Sequence, residues 1–295
     1  MTLTMDFTFQ LGSNGTIINP NAVTYPTVDV LEVEGLDSAP VRTTVKDREG
    51  ADGAFVDAEF DQARTIMIKA VVYDDVNHTE TFLDTLKGEW APSKVPIALN
   101  YRNPGVGNRM VWVKPVGCNY SITQLRRLGI VEVTFTAIAA DPRLYAGFET
   151  TKTMDVTNVV QTGFSFNLSF NFGFGGVTPN AFAINANNAG NRPTPAKFRM
   201  YGPYINPHIK VSNSAGDYEM AFDMIVDSSS YYLEVDTAAH TVRFHGLFGA
   251  QNRRDTLRRP SWFDLQPGNN YVSFDIEGGG AFGTHMEVIY RSAWR

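Results

Sequence analysis

Strict alternation of apolar and polar residues is the strongest structural signal in this sequence. In residues 164–174, every even position is Phe or Leu and every odd position is Ser, Asn or Gly. Residues 130–137 alternate as strictly, with apolar side chains at Val131, Val133, Phe135 and Ala137. A strand places such residues on one face, whereas a helix would scatter them around its axis. Both segments are therefore predicted to be strands that cover a core.

Many more segments have the alternation or the composition of strands. In the second half they are short, lie roughly ten residues apart and are separated by Gly, Pro and Asn, which is typical of a β-sandwich. They comprise residues 196–200, 218–226, 231–235, 240–244, 270–276 and 285–290. In the first half, strands are predicted at residues 28–33, 64–73 and 109–114. The β-branched residues of the segment 64–73 predict a strand that is buried on much of both faces.

Residues 79–90 are the clearest candidate for a helix. Their apolar side chains fall on one stripe at helical spacing, at Phe82, Leu83, Leu86 and Trp90. Asn77 or Thr79 is expected to cap the start of the helix, and Pro92 is expected to end it. The stripe favours packing on a sheet over a role in cofactor binding.

Between residues 147 and 157 the sequence turns polar and loses its period, which predicts a domain boundary. We therefore expect a mainly β chain of two domains. The first, residues 1–150, is predicted to be a β-barrel or sandwich that carries the helix 79–90. The second, residues 151–295, is predicted to be a β-sandwich.

Charge and composition disfavour several classes of partner. The 295 residues carry a formal net charge of −6, which disfavours nucleic-acid binding through the surface as a whole. No stretch approaches the ~18 apolar residues of a membrane span, and the N-terminus lacks a basic signal segment. We expect neither sequence-specific nucleic-acid binding nor membrane insertion.

Cys118 is the only cysteine, so no internal disulfide is expected, and it is interpreted as a small core residue.

The sequence carries no recognisable catalytic or cofactor-binding motif. Nucleophile-elbow, Walker and Gly-x-Gly-x-x-Gly patterns are absent. The histidines are scattered, and His240 and His245 are predicted to point to opposite faces of one strand, so they cannot share a metal. A cluster of carboxylates has the composition of a solvated loop and comprises Asp47, Glu49, Asp52, Asp57, Glu59 and Asp61. We expect no enzyme activity, no cofactor and no metal.

Two features are candidates for contact with a partner or ligand. The first is a basic cluster in an acidic protein, formed by Arg253, Arg254, Arg258 and Arg259, for which a partner contact and a solvated loop are both open. The second is Trp262, which precedes a turn cluster at residues 266–270. Here the corner of a sandwich is favoured over an aromatic platform for a sugar. In that corner a strand at 262–265 would turn, with Gly268 at positive φ, and return at 271–274.

Short motifs in both halves occur in an order and spacing that resemble a known family. The first half carries REGADG at 48–53, RTIMIK at 64–69, VTFTA at 133–137 and ADPRLY at 140–145. The second half carries NRPTPAKF at 191–198, NPHI at 206–209, YLEVDT at 232–237 and SWFDLQPGNN at 261–270. Over nearly its whole length, the chain resembles the distal tail proteins of long, flexible-tailed bacteriophages.

This resemblance implies a structural role in the virion, at the phage tail tip, for a protein synthesised in the host cytoplasm. Six copies of the first domain would form a ring that joins the tail tube protein to the tail-tip hub protein. The second domain would be a galectin-like β-sandwich, or jelly roll, on the outside of that ring. The family has no catalytic residues to carry over. An acidic lumen would let DNA slide through the ring without sticking.

Two other functions remain open from the sequence. A carbohydrate-binding adhesin would contact a host-surface glycan through the second domain, with Trp262 in its site. A polysaccharide-cleaving enzyme would need two carboxylates that converge in a cleft.

Overall fold

The described part of the chain folds into antiparallel β-sheets with a single α-helix. The computed structural model describes residues 3, 6–18, 26–56, 60–75, 78–155, 183–278 and 283–295, so the alternating run at 164–174 lies outside the described residues. Contacts divide the chain into two units, Met1–Phe148 with Trp294–Arg295, and Glu149–Ala293. The prediction of a mainly β fold with one helix is confirmed.

The first unit contains twelve described strands, one α-helix and one 3₁₀ helix. In chain order they are β1 (Thr8–Leu11), β2 (Ile17–Ile18), β3 (Thr27–Glu34), β4 (Val41–Arg42), β5 (Val45–Asp47), β6 (Ala54–Val56), β7 (Phe60–Asp61), β8 (Arg64–Tyr73), α1 (Thr79–Glu89), β9 (Ile97–Asn103), β10 (Gly107–Tyr120), the 3₁₀ helix (Gln124–Leu128), β11 (Ile130–Ala139) and β12 (Leu144–Ala146).

Seven of these strands form one antiparallel path in the order β2-β1-β9-β10-β11-β8-β3. The ladder between β8 and β11 runs without a break over ten residue pairs. Because the pairing is in register, the apolar positions of both strands face the same core. Val131, Val133, Phe135 and Ala137 are all buried, so the alternation correctly predicted this strand.

Helix α1 covers part of this core. Leu83, Leu86 and Trp90 are buried, and the ring centroids of Trp90 and Phe135 lie 4.7 Å apart. The predicted capping is wrong for Thr79, because His78 occupies the N-cap position without a side-chain capping bond. Thr79 lies inside the helix, where its hydroxyl donates to the backbone oxygen of Asp75 at 2.9 Å. The other cap candidate, Asn77, lies outside the described residues.

The burial predicted for the segment 64–73 is partly wrong. On β8 the two faces differ: Ile66 and Ile68 are buried, whereas Thr65 is exposed and Lys69 is half-exposed. Lys69 Nζ lies 2.7 Å from Glu32 Oε2 on the neighbouring strand β3. The face of β8 that carries Thr65 and Lys69 is therefore only partly buried, with Val71 as its buried residue, whereas the opposite face is buried throughout.

The remaining strands and a second 3₁₀ helix belong to the second unit, except that Trp294 of the last strand belongs to the first. They are β13 (Thr150–Asp155), β14 (Ile184–Asn185), β15 (Ala196–Tyr201), β16 (Tyr204–Asn213), β17 (Gly216–Ala221), β18 (Ile225–Val226), β19 (Tyr232–Asp236), β20 (Thr241–Gly246), β21 (Gly249–Asn252), the 3₁₀ helix (Arg254–Thr256), β22 (Tyr271–Gly278), β23 (His285–Tyr290) and β24 (Ala293–Trp294).

Two sheets of the second unit share one core. The larger has the order β13-β23-β15-β19-β20-β21, and the smaller has the order β14-β22-β16-β17, with β18 beside β16. Phe198 and Val288 from the larger sheet and Ile209 and Phe274 from the smaller belong to the same buried cluster. This arrangement is a β-sandwich, as the short alternating segments predicted.

The predicted strand at residues 218–226 is interrupted. β17 ends at Ala221 and pairing resumes at Ile225, because the facing strand β16 is irregular between these points. In β16, Asn206 has a φ of +48°, and Pro207 has no N–H to offer the ladder. The polar segment at 147–157, where a domain boundary is predicted, contains β13, which pairs with β23 along the edge of the larger sheet.

Residues 262–265 do not form the predicted strand. Only Leu265 makes a bridge, to Thr194, and the turn that follows has Gly268 at φ +86°, as predicted. The fully buried side chain of Asn270 stabilises this turn. Its Nδ2 lies 2.8–3.1 Å from the backbone oxygens of Ala186, Gln266 and Gly268, and its Oδ1 accepts from the Gln266 N–H at 2.8 Å.

Replacing this asparagine is expected to destabilise the second unit. Asn270→Ala leaves several buried backbone groups without partners, so we expect a loss of roughly 2–3 kcal/mol of unfolding free energy. Urea denaturation followed by circular dichroism measures it. The matched control is Asn269→Ala, at the exposed neighbouring position, with a change within about 0.5 kcal/mol. Equal effects of the two substitutions would contradict this role for Asn270.

Candidate interaction surfaces

The described residues contain no cluster of side chains suited to hold a metal ion. Within the described ranges, no three His, Cys, Asp or Glu side chains come together as ligands of a metal ion. Of the predicted carboxylate cluster, Asp47, Glu49 and Asp52 are exposed, and Asp57 and Glu59 lie outside the described residues. No α-helix in the described part of the chain has the length and apolar character needed to cross a membrane.

The indole of Trp262 lies against side chains of its own unit. It stacks on the His240 imidazole, with the ring centroids 4.7 Å apart and the ring planes 19° apart. The guanidinium carbon of Arg254 lies 5.9 Å from the indole centroid. The next residue, Phe263, is buried. A sugar would have to share or displace these contacts, so the aromatic platform stays a prediction that this packing does not favour.

The four predicted arginines lie in one loop but face different neighbours. Arg254 lies over Trp262, as described above. The backbone N–H of Arg253 donates to the Val242 carbonyl at 2.9 Å, and its Nη2 donates to Gln251 Oε1 at 3.2 Å. These contacts hold the first half of the loop against the larger sheet. Arg258 and Arg259 instead contact acidic residues beside the smaller sheet.

His208 is the centre of a charged network on the outer face of the smaller sheet. It lies on β16, between two strands that carry glutamates. One ring nitrogen is 3.0 Å from Glu219 Oε1 on β17, and the other is 3.4 Å from Glu277 Oε1 on β22. The Asn206 amide also donates to Glu277, at 2.6 Å. The imidazole thus links three neighbouring strands through their outward-facing side chains.

Two arginines of the loop join this network. Arg259 pairs with Glu219. Arg258 Nη2 lies 2.9 Å from Asp223 Oδ1, and its Nη1 lies 3.8 Å from Glu277 Oε1. Both guanidinium groups therefore already have acidic partners within the unit. The prediction that this cluster contacts another molecule stays a prediction.

The same contacts change the ionisation of the two glutamates. The hydrogen bond with His208 is the largest cause that lowers the pKa of Glu219, and the Arg259 guanidinium adds to it. For Glu277, the Asn206 amide is the largest cause that lowers the pKa. Hydrogen bonds to the charged form favour ionisation. Both carboxylates are therefore held as anions that balance the basic loop.

Sequence reasoning identified the arginines but missed their partners. His208, Glu219 and Glu277 are far apart in the chain, and strand register brings them together. His208 pairs with Ala221 on one side and with Asp275 on the other. The only available signal was that polar residues alternate with the core residues in these strands, which marks an outer face but not its pairing.

The first unit exposes apolar side chains on a two-stranded ribbon. We name residues 40–56 and 60–61 the arm. It contains two short ladders, β4 with β7 and β5 with β6, which pair with no other strand in the described part of the chain. The interpretation of the carboxylate cluster that includes Asp47, Glu49 and Asp52 as a solvated loop is incomplete, because β5 and β6 form a hairpin. Four side chains of the arm are 58–60% exposed, namely Val45, Phe55, Val56 and Phe60.

The same unit has an apolar groove beside strand β3. Its volume is about 510 Å³. We name this site the groove; its apolar lining is Phe7, Phe9, Val30, Leu31, Val33 and Leu36, and its polar lining is Glu32, Asp37 and Asn103. Exposed apolar surfaces of this kind are typical of interaction sites. The arm and the groove are therefore the features of the first unit best suited to contact another protein.

The charge network predicts a measurable shift in the titration of Glu219. In ¹³C NMR, its carboxyl is expected to titrate below the usual range, because His208 and Arg259 stabilise the anion. His208→Ala should raise that pKa towards the ordinary value of about 4.3. The matched control is Lys197→Ala, which removes a cation that pairs with Asp236 instead.

The sign of the stability effect follows from the lowered pKa. The stabilisation from the Glu219 contacts is present above the unfolded-state pKa and is lost as the pH falls through the folded-state pKa. An unchanged Glu219 titration in His208→Ala and Arg259→Ala would mean that the network does not form, and that the arginines of the loop are free.

The fold is similar to solved structures of phage proteins, although no protein-family model and no curated protein matches the sequence. One is the crystal structure of SPP1 Dit (gp 19.1), described as a paradigm of the hub adsorption apparatus in phages that infect Gram-positive bacteria. It has a TM-score of 0.65 at 14% identity, and the alignment covers 99% of this chain and 100% of that chain.

Two further similar chains belong to the phage P2 baseplate in its activated conformation. For the structure with Ca, the TM-score is 0.54 at 11% identity, with 97% and 98% of the two chains covered. For the structure with Sr, the TM-score is 0.52 at 10% identity, with 96% and 97% covered. Both units of this chain, taken in sequence, therefore share their fold with proteins of phage hubs and baseplates.

Proposed function

We propose that this chain is a structural protein of a phage tail tip, and that six copies form a ring between the tail tube and the tail-tip hub. The observation that carries the proposal is the fold likeness over essentially the full length of hub and baseplate proteins. The likeness extends to the order of both units, which a general β-sandwich would not require. The order of short motifs along the sequence supports the same family.

The surface of the first unit gives this proposal a physical basis. Most of the exposed large hydrophobic side chains in the described residues belong to that unit, including Leu31, Val45, Phe55, Ile122 and Leu128. A monomer in water gains nothing from such exposure, whereas burial between copies is favourable in proportion to the apolar area removed. A closed ring would bury this surface without leaving free ends.

The proposal also specifies the partners of this chain and the place of its second unit. The partners are further copies of this chain, the tail tube protein and the hub protein, and DNA passes through the lumen without sequence-specific contacts. The second unit would be a galectin-like domain on the outside of the ring. The protein would be made in the host cytoplasm and would act in the virion, with a structural and not an enzymatic role.

The proposal predicts that the full chain assembles into rings. Negative-stain electron microscopy and native mass spectrometry are expected to show sixfold particles, with the protein alone or together with its tube and hub proteins. Because apolar burial drives the association, the rings should persist at about 1 M salt, where exposed charges are screened beyond about 3 Å. A chain that remains monomeric under every assembly condition would contradict the proposal.

A further inference from the structure

A row of rings crosses the outer face of the larger sheet in the second unit. It runs over the adjacent strands β23, β15, β19 and β20 and consists of His285, Tyr201, Tyr232 and His245, which lie opposite one another in register. In that order, successive ring centroids lie 4.4, 4.9 and 4.4 Å apart. These distances match the spacing between neighbouring strands, so each strand contributes one ring to the row.

The row ends one strand before the edge of the sheet. On β21, the terminal strand of this sheet, Ala250 lies opposite His245 and is exposed. One face of the His245 ring is stacked on Tyr232, with the ring planes 6° apart. On the side of β21 the row meets only the methyl group of Ala250, which is too small to cover the imidazole. The next position of the row can therefore accept a ring from another molecule.

Two exposed apolar side chains lie next to this position in the chain. Leu247 and Phe248 form the turn between β20 and β21 and are 76% and 87% exposed. Short hairpin turns ordinarily carry Gly, Asn or Asp, whose backbone preferences suit the turn. Here the turn carries large apolar side chains that stay in water, and adjacent exposed apolar residues of this kind are typical of contact sites.

The charges beside the row are balanced. Arg199 on β15 lies between Glu287 on β23 and Glu234 on β19, and Arg243 follows on β20, so charges of opposite sign alternate across four strands. Arg199 Nε lies 2.9 Å from Glu234 Oε2. A face whose charges cancel has little attraction for a strongly charged partner. This balance favours a neutral ligand.

Two hydrogen-bond donors remain available at the edge of the sheet. Arg243 is exposed and has no ion-pair partner among the described residues. Asn252 lies opposite it on β21 and is also exposed. The Oδ1 of Asn252 accepts from the Arg254 N–H at 3.1 Å, which leaves its amide N–H groups to donate elsewhere. A guanidinium and an amide at this place can both donate to hydroxyl oxygens.

We propose that the end of this row binds the ring of a neutral saccharide. The C–H face of a pyranose stacks on the imidazole of His245 above Ala250, and hydroxyls at the edge of the sugar accept from Arg243 and Asn252. An aromatic face beside a few placed donors suits a ligand that is apolar on one face and polar at its edge. The site uses other residues than the sugar platform predicted at Trp262. The inference does not depend on the proposed ring, because every residue of the site belongs to the second unit.

Saturation-transfer NMR on the full-length chain tests the site with three neutral probes, the methyl glycosides of galactose, glucose and N-acetylglucosamine. Saturation is expected to reach the C–H protons on one face of at least one probe. In a titration with that probe, the imidazole signals of His245 should shift, because the sugar lies on the ring. Those of His208, on the outer face of the smaller sheet, should stay unchanged and serve as the internal control.

Two substitutions test the position of the sugar. Ala250→Tyr places a fifth ring in the row and is expected to abolish saturation transfer while thermal unfolding, followed by circular dichroism, stays unchanged. Arg243→Gln removes a charged donor and is expected to weaken binding by about tenfold. The matched control is Lys197→Gln on the same face, where the lysine pairs with Asp236, with binding within about twofold of the unmodified chain.

Three outcomes would overturn the inference. The first is no saturation transfer to any of the three probes. The second is binding that survives both Ala250→Tyr and Arg243→Gln but is lost in Trp262→Ala, which would place the sugar at the tryptophan. The third is tighter binding of the methyl glycoside of glucuronic acid than of the methyl glycoside of glucose, which would show that a charged ligand is preferred. If Ala250→Tyr does not fold, Arg243→Gln and the His245 signals decide.

Discussion

Antiparallel pairing that buries one face of each strand is the constraint on which both units depend. In the first unit the unbroken β8–β11 ladder sets the faces of its neighbours, and in the second unit β15 does the same between β19 and β23. A side-chain period of two leaves the opposite face and the strand edges to the solvent. In a chain built this way, the surfaces available for contact with another molecule are the outer faces of the sheets, the strand edges and the projecting ribbons. The structure carries its charged network, its groove and its arm at such places.

The sequence predicted those strands and helices whose burial pattern is visible within the segment itself. The strand at 130–137 and the apolar stripe of helix α1 could be predicted because the apolar or polar character of each side chain indicates whether it is buried. The interruption of the strand at 218–226 could not, since its cause lies on another strand, at Asn206 and Pro207. β13 was missed because only Met154 of its six residues is buried. An edge strand with one core contact has no apolar period to detect.

The same limit explains what was predicted about the candidate sites. The basic loop and Trp262 are visible as residue types, but their neighbours come from elsewhere in the chain: Glu219 and Glu277 through strand register, and His240 through a turn. These neighbours alter the meaning of the prediction, because a cluster balanced by its own carboxylates has less reason to attract an anionic partner. The carboxylate cluster that includes Asp47, Glu49 and Asp52 is interpreted from the sequence as a solvated loop, because the charges and glycines of this stretch hide the pairing of Val45 with Val56.

The charges of the arm are then better explained as protection than as recognition. A ribbon that is already hydrogen-bonded loses less conformational freedom on binding than a disordered segment, and this favours assembly. The same ribbon, with the exposed pair Val45 and Val56 and with unpaired edges, is also a template for unwanted strand pairing. Lys46, Asp47 and Arg48 follow Val45 directly, and Glu49 and Asp52 lie in the turn of the hairpin. Charges at these positions oppose stacking of one arm on another without covering the valine pair. An exposed apolar pair with a charged border is suited to contact a selected partner while unwanted strand pairing is opposed.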